Sequence, residues 1–216
     1  MATKFAKMCR RTVHRIVSIP DAIKIRSYKE IHGFLAPREA VGLYQMAARL
    51  GPNSTIVEIG SWKGKSTCCL AKGLRSGRLI AIDPFNAAGD EGSTEIYAKT
   101  RGELPLLEQF RNNMTQRGVM DKIEIWQGTS QDFADRIKTI GIDLLFIDGD
   151  HSIEGCNTDY QLYSPSLKSG GFLLFRDFDK NREDLGPTWV INHHVRPSGQ
   201  YEFIALFHTL WMCRKK

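Results

Sequence analysis

The chain contains no apolar run long enough to cross a bilayer, and its first residues lack the apolar stretch and small-residue cleavage site of a signal peptide. Its five cysteines, Cys9, Cys68, Cys69, Cys156 and Cys213, follow no metal-ligand spacing, and an odd, scattered set argues against a disulfide framework. A reducing, cytoplasmic setting is the expectation. Phosphate-binding signatures are missing too. The turn Gly60-Ser61-Trp62-Lys63-Gly64 is not Gly-x-Gly-x-x-Gly, and Gly64-Lys65-Ser66 has Ile59 where a Walker loop needs its first glycine. There is no internal repeat or low-complexity tract.

What is present suits one globular domain: 216 residues, 42% hydrophobic and 25% charged, enough to bury a sizeable core. The formal charge of +6 is concentrated at one end. Residues 1–29 hold eight basic side chains against Asp21 alone, which leaves the rest of the chain near neutral. Phe5, Met8, Val13, Ile16 and Val17 form an approximate helical stripe opposite those cations. The pattern is that of an interfacial helix on an anionic surface, or of an arm packed on its own domain or on a second subunit. The expected division is a basic leader over 1–33 and a single domain over 34–216.

Along that domain, apolar runs alternate with helical spacing. A helix follows Pro37 and closes at Gly51. TIVEIG reads as a buried strand, and KSTCCLAKGLRSG as a helix with Gly77 near its end. RLIAIDPF, KIEIWQG, IDLLFIDGD and FLLFRDF read as further strands, separated by the helical segments LPLLEQFRNNMTQRG, SQDFADRIKTI and IEGCNTDYQLYSPSLKSGG. The last of these ends in a glycine turn. Residues 86–102 are polar and too irregular to assign. The tail YEFIALFHTLWMCRK has two strand-like runs with no room for a helix between them, so they pair antiparallel. The sum is an α/β fold, a doubly wound, mostly parallel seven-stranded sheet with helices on both faces and an antiparallel C-terminal hairpin.

In such sheets ligands collect beyond the carboxyl ends of the strands. Those ends carry Glu58, Asp83, Asp148 and Asp177, while the strand interiors are almost wholly apolar. A carboxylate beside a glycine turn repels phosphate, so the rim suits a ligand with positive charge and ribose hydroxyls. Asp83 is placed for those hydroxyls and Gly60 for close backbone approach.

VEIGSWKGKST, AIDPF, GTSQDF, LLFIDGDHSIEG and LKSGGFLLFRDF resemble, in order and spacing, the class I S-adenosylmethionine-dependent methyltransferases. The nearest branch is the small-molecule and sugar O-methyltransferases related to the catechol type. The resemblance covers about residues 34–216 and implies a Rossmann-like fold, S-adenosylmethionine as cofactor and a small-molecule acceptor. It also implies that Glu58, Gly60 and Ser61 line the methionine end, and that Asp83 holds the ribose. Ser130 and Gln131 would edge the adenine, or Ser130 would cap the helix after it. Asp148 would face the ligand's amino group, a metal, or both. Asp148, His151 and Asp177 are the candidate catalytic residues, with His151 either a general base or a cap of the next helix.

Metal-dependent relatives hold magnesium with three oxygen ligands at the fourth and fifth strand ends. Here Arg176 stands where such relatives often have an acid, so a metal is not favoured. Asp177, Asp179 and Asp150 remain nearby, and Arg176 either binds an anionic acceptor group or pairs with an aspartate. Trp62, Phe85 and Trp189 are candidate pocket walls, His193 and His194 rim residues, and 86–102 and 179–200 candidate lid segments. Two other functions compete: a non-catalytic nucleoside-binding module, and nucleic-acid methylation. The second is disfavoured because DGDHS replaces the aromatic motif that holds a flipped base.

Overall fold

The computed structural model describes residues 20–87 and 94–216. The expected leader stripe at Phe5–Val17 lies outside the described residues. Ile25, Tyr28 and Ile31 are buried in the core, so the packed body already includes residues ahead of 34.

Five strands run parallel: β1 (Ser54–Ile59), β2 (Gly77–Asp83), β3 (Ile123–Gln127), β4 (Ile142–Ile147) and β5 (Leu167–Phe175). β6 (Tyr201–Phe207) and β7 (Leu210–Lys215) form the closing hairpin, with β7 antiparallel to β5, and the sheet order is β3-β2-β1-β4-β5-β7-β6. β1 pairs with β2 on one side and β4 on the other, so the chain reverses direction across the sheet at β1. That is where a crevice opens beyond the strand ends.

The central strands are buried on both faces, which is why they read as continuous apolar runs. Alternate residues feed two cores. Ile56 of β1 faces the helices α1 (Pro37–Ala48), α2 (Lys65–Gly73) and α4 (Leu106–Gln116); Val57 and Ile59 face the side holding α6 (Ile153–Tyr163) and α7 (Gly186–Val190). Two further short helices are α3 (Thr94–Thr100) and α5 (Ala134–Ile137). None of the described helices is long and apolar enough to cross a membrane.

Three local expectations are corrected. The helix after β1 ends at Gly73, and Gly77 instead opens β2. Its φ is +118°, and a Cβ there would lie 2.0 Å from the Ser54 carbonyl oxygen, so only glycine lets β2 start alongside β1. The glycine turn expected after α6 is part of β5, which begins at Leu167 and carries Gly170 and Gly171 within it. The irregular stretch 86–102 contains α3.

Candidate functional site

A cavity of about 390 Å³ lies beyond the carboxyl ends of β1 to β4. Its walls include Asp83, Asp148, Asp150 and Asp159, with Lys65, His151 and Arg176 as the basic groups, so the acids outnumber the bases around it.

Asp83 ends β2 and organises two loops. Its Oδ2 accepts the Trp62 N–H at 2.8 Å and its Oδ1 the Phe85 N–H at 2.6 Å. Trp62 and Phe85 both sit at positive φ, 48° and 52°, so these bonds hold backbone that would otherwise be strained. Burial raises the Asp83 pKa, and the backbone donors of Trp62, Phe85 and Ser61 oppose that rise. Its two oxygens offer about four acceptor sites against these three donors, which leaves capacity for a hydroxyl.

Gly60 and Ser61 line the cavity, while Glu58 stands behind the wall rather than on it. It faces α2 from inside β1, where Ser61 and Thr67 donate their hydroxyls to its Oε2. Burial pushes its pKa up to about 7 against the hydrogen bonds of Ser66, Thr67 and Ser61. Glu58 therefore braces the turn. Gly60 is at φ +88°, and a Cβ would meet the Asp148 carbonyl oxygen at 2.1 Å, so its glycine is required by the neighbouring strand end as well as by any ligand.

Ser130 and Gln131 line the far side. The expected Ser130 cap is absent: Thr129 and Asp132 make the reciprocal bonds of that turn, and the Ser130 hydroxyl donates instead to Asp159 Oδ1 at 2.5 Å. Tyr163 donates to the Ser130 carbonyl, so α6 pins this residue from two positions. Burial pushes the Asp159 pKa up to about 7, with Ser130 opposing and Asp150 adding to the rise. Sequence reading passed over Asp159 and Ser66, both of which line the cavity. A signal for Asp159 existed, since it falls on the buried stripe Cys156, Asp159, Tyr160, Tyr163, where an acid has no reason to be unless it has a partner.

Asp148, His151 and Arg176 meet at the cavity's other end. His151 Nε2 lies 3.0 Å from Asp177 Oδ2 and 3.8 Å from Asp148 Oδ1. Asp177 itself is not on the wall and reaches the site through His151. Burial alone would lower the His151 pKa, but the hydrogen bonds and charges of Asp148 and Asp177 outweigh it and push the pKa up to about 10. The imidazole carries a proton at neutral pH.

Arg176 Nη1 lies 3.2 Å from both oxygens of Asp148, its Nη2 3.7 Å from Asp177, and its Nε 3.8 Å from the buried Glu39. Asp148, His151 and Asp177 offer atoms within 4.8 Å of one another, the spread of a metal site. The set nevertheless does not fit a divalent cation. A guanidinium nitrogen already bridges both oxygens of Asp148.

Of the aromatic residues proposed as walls, Trp62 lines the cavity. Phe85 is instead packed in the core against Phe110, and Trp189 stacks on His193 outside the cavity. His193 bonds Glu183 at the surface, and His194 stacks on Tyr160. Asp179 bonds Thr188 through its backbone and is not part of the cavity wall.

Residues 57–178 match the model of a family described as "Methyltransferase domain". An uncharacterised protein of Acanthamoeba polyphaga mimivirus is 29% identical over 132 residues, 59% of this chain and 53% of that protein. The chain thus spans about half the length of that relative. Among solved structures, the O-methyltransferase from Bacillus cereus in complex with SAH superposes with a TM-score of 0.62 at 16% identity, over 93% of this chain and 91% of that one. The O-methyltransferase NovP gives 0.65 at 16% identity, over 86% and 82%. These two likenesses establish the fold. The family match covers more than half the chain, running from within β1 to just beyond β5 and taking in every strand end that borders the cavity, and on it the chain belongs to the methyltransferase domain family.

Proposed function

We propose that the chain transfers a methyl group from S-adenosylmethionine to a hydroxyl oxygen of a small acceptor, of the sugar, glycoside or other small-molecule kind. The observation that carries this is the cavity at the β1–β4 crevice, whose acidic rim includes Asp83 with unused acceptor capacity. The solved O-methyltransferases whose fold the chain shares, one of them in complex with SAH, support it. Bound there, S-adenosylmethionine supplies a methyl on a cationic sulfonium. Asp83 would hold the ribose hydroxyls, Ser130 and Gln131 the adenine edge, and the turn at Gly60 and Ser61, with Asp148, the amino-acid end.

The chain's own contribution to transfer is to aim the acceptor oxygen and remove its proton. His151 faces the cavity and is the base in its neutral form. Because Asp148 and Asp177 hold it protonated, the rate of transfer rises with pH toward about 10. The same proton is what favours the second reading, a non-catalytic module that binds the nucleoside and does no chemistry.

The test combines calorimetry with a labelled-methyl assay against a panel of hydroxyl acceptors. Asp83→Ala should weaken SAH binding by about tenfold or more, and His151→Ala should slow transfer while leaving SAH affinity intact. Wild-type protein that binds SAH and methylates no acceptor across the alkaline range belongs to the second reading.

A further inference from the structure

We propose that Arg176 is a built-in cation occupying the position of a divalent metal, so that this site works without one and aims a single acceptor oxygen by hydrogen bonding. The proposal rests on the methyl-transfer reading above and adds to it the manner in which the acceptor is held.

The argument begins with geometry. Nη1 is equidistant, at 3.2 Å, from the two oxygens of Asp148, the bisecting position that a bidentate metal ligand presents to its ion. Three elements converge on the guanidinium: Asp148 from the end of β4, Asp177 from just past β5, and Glu39 from the first turn of α1. Glu39 is only 2% exposed and is itself fixed, accepting from the Ala36 N–H at 2.8 Å and from Thr209 in the β6–β7 turn. Arg176 is therefore held from behind as well as in front, as a resident ion would be.

Charge leads to the same assignment. Glu39, Asp148 and Asp177 supply three negative charges, and all three carboxylates lie within 4 Å of the Arg176 guanidinium. A divalent ion at Asp148 would stand against that guanidinium in a setting where Asp148 is 7% and Arg176 16% exposed, and two like charges so close are poorly screened there. Arginine also changes what can be bound. A metal chelates two neighbouring oxygens, whereas a guanidinium anchored on Asp148 offers its remaining N–H groups as directional donors. Nε faces the buried Glu39, whereas Nη2 is 3.7 Å from Asp177, beyond hydrogen-bond distance, so the donor capacity left over is at the terminal nitrogens. An acceptor here needs one hydroxyl oxygen, not a vicinal pair.

The test is titration of full-length protein with Mn²⁺ and Mg²⁺ by calorimetry, with thermal melting in parallel. Wild-type protein should show no saturable uptake at millimolar metal, and a chelator should leave methyl transfer unchanged. Arg176→Glu should complete an oxygen ligand set and bind Mn²⁺ about tenfold more tightly than wild type, with a melting temperature that rises on metal addition. Arg176→Gln, which keeps length without charge, should also bind Mn²⁺ more tightly than wild type and serves if the charge-reversed variant does not fold. Saturable binding by wild type matching either variant, or transfer abolished by chelation, overturns the proposal. SAH calorimetry on the same samples reads the cofactor assignment separately: its failure removes the methyl-transfer reading and leaves the metal result standing.

Discussion

Two buried carboxylic acids, Glu58 and Asp159, bind their protons far more tightly than free side chains do. Both are pushed to about 7 by burial, from ordinary values of 4.5 and 3.8. The unfolded chain gives up these protons at lower pH than the folded one, so between the two pKa values the folded state holds more protons and stability falls as pH rises. The raised pKa of His151 acts in the same direction: its contribution is complete below 6.5 and is lost as pH climbs through about 10. Asp177, whose pKa is lowered by His151 and Arg176 despite burial, works the other way and costs stability only in acid. The melting temperature of ligand-free protein should therefore drop from about pH 5 to about pH 8. Asp159→Asn and Glu58→Gln should each flatten that drop. A wild-type profile that is level across this window, or that climbs, contradicts the proton accounting. At this scale the acids at strand ends were legible in the sequence, since a charge has no place inside a buried strand. Their partners were not. Ser130 and Asp159 lie 29 residues apart, and Arg176 reaches Glu39 across most of the chain.

Elements were legible in proportion to how fully they are buried. β1 and β4 are enclosed on both faces and stand out as unbroken apolar runs; β6, an edge strand with Phe203 56% and Leu206 44% exposed, is recognisable chiefly through its partner β7. The boundaries that sequence reading missed are those set by backbone contact. Gly77 resembles a helix-ending glycine because nothing local reveals that Ser54 will lie against it. The structure makes this testable by comparing two glycines. Gly77→Ala forces a Cβ to 2.0 Å from the Ser54 oxygen at a φ of +118°, and should cost about 3 kcal/mol in urea unfolding. Gly51→Ala meets nothing within 4 Å and should change stability by less than about 1 kcal/mol. Equal effects at the two sites would mean that β2 does not start where Gly77 places it. The two-residue turn at His208 and Thr209 has a role that no local pattern of residues reveals. By donating to Glu39 it ties the sheet's closing hairpin to α1 and, through Glu39, to Arg176 at the cavity.

For the molecule as a whole, the distribution of charge separates the packed body from its first residues. Residues 1–19 contain five basic side chains and no acid, so their removal takes the formal charge from +6 to +1. The core already includes Ile25 and Tyr28, both in the described body. Deleting 1–19 should accordingly leave the melting temperature and SAH affinity unchanged. Each basic residue near an anionic lipid surface contributes about 1 kcal/mol at moderate salt, so five account for about 5 kcal/mol and a binding difference of several thousandfold. The full chain should then sediment with phosphatidylserine vesicles and not with neutral ones, and added salt should release it as the Debye length shortens. The truncated chain should bind neither. The competing reading, an arm packed on its own domain or on a second copy, makes opposite demands: truncation would lower the melting temperature or convert a dimer to a monomer, and vesicle binding would be weak from the start. Sedimentation equilibrium and melting of the two forms decide between them, because an arm that stabilises the body cannot be removed without cost, whereas a surface anchor can.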